Sequence, residues 1–380
     1  MSSANPIGLR GLHSITWYVR ELPRKRRLFV DTLGFREVSG TTQSQRAAFD
    51  DRGQQSLIFE AGKCRVVCTA PELENSRAAR FLARHPEGIG RVTFEVEALA
   101  QTRRELEKRD ATFISGDGAS DESRLELATP IDDLEFCFVP PSRSTQTSDS
   151  SKPARSRSGP SHFDHVTINT GTILPVSLWL RHLLGLEKHW ETEFHTSEGA
   201  QSEPQPGTPG SGLKSVVLWD PPTGIKFALN EPKRPNFFAS QIELFRRDHR
   251  GSGIQHVAVH VHDIVGFVAT LRGRGMQFAA VPLPYYDQLQ ARLDRIGVGA
   301  IDEPMGMLRK LGILVDGSGP GRYLLQIFVE DDAAFLGGEG RSPFFLELIE
   351  RKGCSEFGAG NFRALFDSIA AAQAKRASVS

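Results

Sequence analysis

Three residues of this sequence, His165, His256 and Glu347, could together hold a metal ion. Two imidazoles and one carboxylate on one side of an ion leave its other positions open, which is the ligand set of Fe(II) sites that activate oxygen. Sulfur is absent from the set, so zinc is less favoured. The three lie far apart in the chain, beyond the reach of a local helix motif such as HExxH, and only a repeat could make them one site. A single histidine in a strand is more often a hydrogen-bonded core or surface residue than a ligand. Spacing alone leaves both readings open.

The elements that would position them read as an internal repeat. GLHSITWYV at 11, GIGRVTFEV at 88, HFDHVTINT at 162 and GIQHVAVHV at 253 each alternate apolar and polar residues with the period of a strand. Helical patterns follow each opening, in ELPRKRRLFVDTLGF, ALAQTRRELEKRDATF, LPVSLWLRHLLGL and DIVGFVATLRGRGMQF. Four βαβββ units result, two per half. Each half then closes into an open, barrel-like curved sheet with outer helices, an α+β fold. Comparing the openings places His13, Arg91, His165 and His256 at one position on the inward side of each first strand, and the closing strands offer Glu135 and Glu347. In the first half Arg91 would repel a cation and can pair with Glu135 instead, so that half reads as structural.

Composition bounds the rest. Lys plus Arg equals Asp plus Glu at 46 each, which removes the overall electrostatic case for nucleic acid or an anionic membrane. A hydrophobic share of 39% suffices for two cores without disulfides. Cys64, Cys68, Cys137 and Cys354 are scattered without CxxC pairing, which fits a reducing compartment. No apolar run is long enough to span a bilayer and no h-region opens the chain, so the expected location is cytoplasmic. Ser, Pro and charge dominate residues 142–161, read as a flexible linker between an N-terminal domain at 1–141, without metal, and a catalytic domain at 162–380. A second Pro/Gly/Ser stretch at 196–212 reads as a surface loop.

The stretches GIQHVAVHVHDI at 253, GMQFAAVPLPYYDQL at 275, YLLQIFVE at 323, FFLELIERKG at 344 and FGAGNFRALFDSI at 357 resemble the 4-hydroxyphenylpyruvate dioxygenase family, in order. With FDHVTINT at 163 and LNEP at 229 the resemblance covers roughly residues 160–373; the paired units resemble the vicinal oxygen chelate superfamily. The resemblance implies Fe(II) at His165, His256 and Glu347, the residues that the repeat also selects. It further implies a substrate pocket with Ser215, Asn230, Gln241 and Gln326 as polar catalytic groups and Phe328, Phe357 and Phe362 around the substrate ring. Gln255, beside a ligand, joins the binding set as support for the His256 ring. A C-terminal helix over about 361–377 is implied as a lid, with Leu365, Phe366 and Ile369 over the pocket mouth and Lys375 and Arg376 at its C-terminal end. The sequence departs from the family at Ala228, where proline is usual, and in the loop at 330–343.

The implied reaction takes 4-hydroxyphenylpyruvate, an aromatic 2-oxo acid, and O2 to homogentisate and carbon dioxide in tyrosine catabolism, with the electrons supplied by the substrate. The close relative 4-hydroxymandelate synthase uses the same ligands and substrate but oxidises the side chain, and is the alternative. A non-catalytic binding protein of the same fold is a third reading, opposed by the intact ligand set. No nucleic-acid or membrane partner is expected, and a homo-oligomer stays open.

Overall fold

The computed structural model describes residues 5–38, 53–114, 123–141, 159–195, 212–233, 238, 240–330 and 342–361. Most of the linker, the loop at 196–211, Phe362 and the lid helix lie outside them. The first sheet contains β1 (Leu9–Tyr18), β2 (Arg36–Glu37), β3 (Gln54–Ala61), β4 (Cys64–Pro71), β5 (Gly88–Val96), β6 (Leu125–Ala128) and β7 (Glu135–Val139). The second contains β8 (Pro160–Asn169), β9 (Glu187–His195), β10 (Gly212–Trp219), β11 (Lys226–Pro232), β12 (Gly253–Val261), β13 (Leu314–Gly317), β14 (Tyr323–Phe328) and β15 (Phe345–Lys352). The helices are α1 (Leu22–Arg26), which runs on into a π-helical stretch at Arg27–Thr32, α2 (Arg77–Arg84), α3 (Leu99–Glu107), α4 (Ile173–Leu184), α5 (Gln241–His249), α6 (Ile264–Gly273), α7 (Leu283–Asp287), α8 (Leu289–Arg295) and α9 (Met305–Leu311).

The strand orders are β2-β3-β4-β1-β5-β7-β6 and β13-β14-β15-β12-β8-β11-β10-β9. In each sheet the first strands of two βαβββ units meet antiparallel, β1 with β5 and β8 with β12, and each unit's last strand lies parallel to its first. The repeat read in the sequence is therefore the repeat of the fold. In the second unit one strand shrinks to the isolated bridge Phe113↔Leu127, which is why the first sheet is the narrower. Helix ends follow local chemistry. Asp263 caps α6 by accepting from Gly266 N at 2.8 Å, and α4 stops where Gly185 turns left-handed at φ 73°.

The register corrects one correspondence. Thr16 pairs with Arg91, Ser14 with Thr93 and Arg91 with Glu135; in the second sheet Thr167 pairs with His256, His165 with Ala258 and Ala258 with Glu347. With Arg91 and His256 equivalent, His165 therefore corresponds to Ser14 and not to His13, and Glu347 to Cys137 and not to Glu135. The reason is that register, not residue type, decides which face a side chain takes, and a slip of one residue turns it over. His13 corresponds to Asp164, and both stand where the register skips a residue, as do Gly90 and Gln255. These are β-bulges. Gly90 is forced, because a Cβ there would come within 2.5 Å of the Tyr18 ring. The first half thus offers Ser14, Arg91 and Cys137 where the second offers two imidazoles and a carboxylate. Arg91 is neutralised by Glu135 at 3.1 Å and Glu126 at 3.0 Å.

One apolar cluster runs through both sheets. Phe136 of β7 stacks on Phe227 of β11 at 5.7 Å between ring centroids and meets Trp179 of α4 edge-on at 5.5 Å, while Trp17 of β1 meets Phe344 at 4.7 Å. Among the described residues no helix is long and apolar enough to cross a membrane.

Candidate metal centre and substrate cavity

His165, His256 and Glu347 come together from β8, β12 and β15, with their ligand atoms within 4.8 Å of one another. Glu347 Oε2 lies 3.7 Å from His165 Nε2 and 3.3 Å from His256 Nε2. All three are buried. The two bulges explain why both rings present Nε2. Each bulge turns the residue before the histidine back onto its ring: His165 Nδ1 donates to Asp164 Oδ1 at 2.8 Å, and His256 Nδ1 donates to Gln255 Oε1 at 3.0 Å. A proton fixed on Nδ1 leaves the Nε2 lone pair for an ion. Asp164 is itself held by Arg351, whose Nε and Nη2 donate to its two oxygens at 2.6 and 2.7 Å. Burial works against the Asp164 anion, but these bonds outweigh it and hold the carboxyl well below the usual range.

Burial also opposes charge on Glu347. Hydrogen bonds and charge from His256, His165 and Gln326 overcome it, so the carboxyl sits below its ordinary value. Burial lowers the His256 pKa and Glu347 only partly offsets that, which keeps the imidazole neutral at pH 7. Two lone pairs and an anion, all oriented from behind, fit a divalent metal of intermediate hardness.

The triad forms one end of a cavity also lined by Ser215, Asn230, Gln326, Phe328 and Phe357. Phe357 stands edge-on to His165 at 5.1 Å and packs with Val217, Ala228 and Trp190 as an apolar wall; Phe328 lies 6.4 Å from His256. Ser215, Asn230 and Asn169 form a polar row across β10, β11 and β8, since Ser215 pairs with Asn230 and Asn230 with Asn169. Asn230 Nδ2 donates to Asn169 Oδ1 at 3.1 Å, leaving Asn230 Oδ1 and Asn169 Nδ2 without a partner among the described residues. Asn169 lies four residues along β8 from His165, a rise of about 13 Å at strand geometry.

Two of the expected site residues are not in the cavity lining. Gln241 is buried as the first residue of α5, next to its cap Ser240, and does not line the cavity. Gln255 stands behind the His256 ring. Gln326 lines the cavity, but its amide is engaged at both ends, donating to Glu347 Oε1 at 2.8 Å and accepting from Asn361 Nδ2 at 2.9 Å. Sequence reasoning missed Thr167, Gly358 and Asn361 in the lining and Asp164 and Arg351 behind it. The signal for Asp164 was present: it precedes a ligand histidine as Gln255 does.

The Glyoxalase/Bleomycin resistance protein/Dioxygenase superfamily matches residues 162–307. A 4-hydroxyphenylpyruvate dioxygenase of Caenorhabditis briggsae is 31% identical over 327 residues, covering 80% of this chain and 77% of its own. The chain belongs to the 4-hydroxyphenylpyruvate dioxygenase family. A dioxygenase of that name from Coccidioides posadasii is 27% identical over 97% of this chain and 94% of its own length. Among solved structures, a triple mutant of 4-hydroxymandelate synthase from Streptomyces coelicolor superposes with a TM-score of 0.73 at 22% identity, over 95% of this chain and 98% of that one. That likeness establishes the shared vicinal oxygen chelate fold. As a member of this dioxygenase family, the protein is an enzyme.

Proposed function

We propose that the protein converts 4-hydroxyphenylpyruvate and O2 to homogentisate and CO2, a step of tyrosine breakdown, with Fe(II) held by His165, His256 and Glu347. The reading rests on the division of the cavity into a ligand set at one end and Ser215 and Asn230 at the other, with Asn169 behind Asn230 and with Phe328 and Phe357 near the ligand end. Such a cavity suits a molecule with a chelating oxo-acid head, a flat ring and a polar tail. Bound there, Fe(II) would supply dioxygen activation coupled to loss of the substrate carboxyl group.

The chain's own residues position and shield. Asp164 and Gln255 hold the two imidazoles by Nδ1 and turn Nε2 inward. Gln326 holds one carboxylate oxygen of Glu347 and leaves the other toward the histidines. Phe357 confines the ring against Val217, Ala228 and Trp190, which fixes its distance from the reacting end. Asn230 Oδ1, without a partner among the described residues, can accept from a substrate hydroxyl. Apolar walls exclude water.

Incubating the purified protein with Fe(II), 4-hydroxyphenylpyruvate and oxygen, followed by chromatography with mass detection, tests this. Homogentisate as the main product is expected. Its isomer 4-hydroxymandelate would transfer the protein to the synthase reaction, and no oxygen uptake with any aromatic 2-oxo acid would refute the dioxygenase assignment.

A further inference from the structure

Gln326 must aim an N–H, not a carbonyl, at Glu347, yet an amide can be turned end for end at little steric cost. What prevents the turn lies three side chains away. Gln326 Nε2 donates to Glu347 Oε1 at 2.8 Å, and Gln326 Oε1 accepts from Asn361 Nδ2 at 2.9 Å. Asn361 Oδ1 in turn accepts from the Tyr285 hydroxyl at 2.8 Å and from Arg292 Nη2 at 3.2 Å. A guanidinium has donors and no acceptor, so Asn361 can face Arg292 only with its oxygen. Its NH2 is then committed to Gln326, whose oxygen is committed to Asn361 and whose NH2 falls to Glu347. The donor direction runs one way along the whole chain.

The Tyr285 hydroxyl accepts from Arg292 Nη2 at 2.7 Å and from Val315 N at 2.8 Å, which occupies its lone pairs and leaves its one hydrogen to be shared between Asn361 Oδ1 at 2.8 Å and Val315 O at 2.9 Å, so the direction at Asn361 is dictated by Arg292. The backbone around Asn361 is pinned by the same residues. Arg292 Nη1 donates to Gly360 O at 2.7 Å, and Gly360 N donates to Asp316 Oδ2 at 2.8 Å. Gly358 permits the close approach, because at φ 68° a Cβ there would come within 2.2 Å of Gln326 Oε1.

We infer that Arg292, acting through Tyr285, Asn361 and Gln326, is a positioning residue that reserves a single oxygen of Glu347 for the metal. The inference rests on the reading of His165, His256 and Glu347 as a metal site. With Oε1 tied to Gln326, only Oε2 faces the histidines, at 3.7 and 3.3 Å. A carboxylate free to offer both oxygens would take up a position that a substrate atom needs. Arg292 itself does not line the cavity.

Co(II) binding to the full chain reads this directly, by titration and by the visible absorption of the bound ion. Arg292→Gln can donate or accept, so it no longer dictates the direction; the expected result is a loss of Co(II) affinity of about tenfold and an altered spectrum, the scale typical of partners behind a ligand. Arg292→Lys, again donor only, should restore both. If Arg292→Gln does not fold, Asn361→Asp removes the donor to Gln326 while keeping an oxygen for Arg292 and should show the same loss. Unchanged affinity and spectrum in the glutamine variant, or equal losses in the lysine and glutamine variants, would overturn the inference. Glu347→Ala separates the two levels: Co(II) binding that survives it defeats the metal site itself, whereas its loss beside an unaffected Arg292→Gln defeats only the role of Arg292.

Discussion

His13 and His165 differ less in chemistry than in which side of a bulge they occupy. His13 holds the place of Asp164, its Nε2 accepting from the Arg65 guanidinium, and burial together with that charge pushes its pKa down to about 3. His165, one place further on, turns inward. Replacing His165, His256 or Glu347 by Ala is therefore expected to lower bound metal by at least about tenfold, because no neighbour can supply the missing donor, while His13→Ala keeps it. Metal analysis of the purified variants checks both halves of the statement. Asn230 carries a different burden. Its Oδ1 is buried with no partner among the described residues, so Asn230→Ile removes an acceptor open to the substrate, at a cost of about 1–3 kcal/mol in the transition state. Product formation should fall by that factor while metal affinity is unchanged, and 4-hydroxymandelate is the by-product to look for. An equal loss in metal binding would show that Asn230 supports the site only through packing.

At the scale of the elements, helix α5 links one strand edge to the cavity wall. Ser240 caps it by accepting from Ile242 N at 3.3 Å and donates to Gly212 O at 2.8 Å, at the start of β10. Ser240→Ala should cost about 1 kcal/mol of stability, as should Asp263→Ala at the start of α6. Only the first should also raise KM, since β10 carries Ser215; chemical denaturation and steady-state kinetics on both variants decide. The four openings, their helices and the inward-facing histidines were legible because period two and helical spacing survive in the sequence. Ser14 and Cys137 were not, because matching like residues across a repeat ignores the bulges that set the register. The partners behind the ligands were hidden for a related reason. Arg351 reaches Asp164, and Arg292 reaches Asn361, across stretches of chain with no local pattern linking them. Gln241 was expected from the family resemblance alone, and its place as the first residue of α5 puts it outside the cavity lining.

At the scale of the whole molecule, the two halves are joined at a histidine pair as well as through the core. His85 Nδ1 donates to the His249 carbonyl at 2.8 Å, and the rings lie 4.6 Å apart. Burial, with the charge of His85, lowers the His249 pKa from 6.5 to about 4. A depressed pKa means that the unfolded chain takes up the proton first. The contribution is therefore complete above the ordinary value and is lost as the pH falls through the window from 6.5 to about 4. His249→Gln should flatten this dependence by roughly 3 kcal/mol across that window, whatever its baseline stability. Denaturant unfolding of both proteins at a series of pH values measures it, and parallel curves would exclude His249 as the source.

The apolar cluster shared by the two sheets bears on how such a chain can change over evolutionary time. The two halves share one pattern, but Phe136, Phe227 and Trp179 bury one another across the divide. A gene segment encoding either half alone would yield a sheet with an uncovered aromatic face, prone to self-association. The unit that repeats is thus smaller than the unit that can be inherited intact, and recombination between relatives should succeed only where it carries both sides of that aromatic contact together.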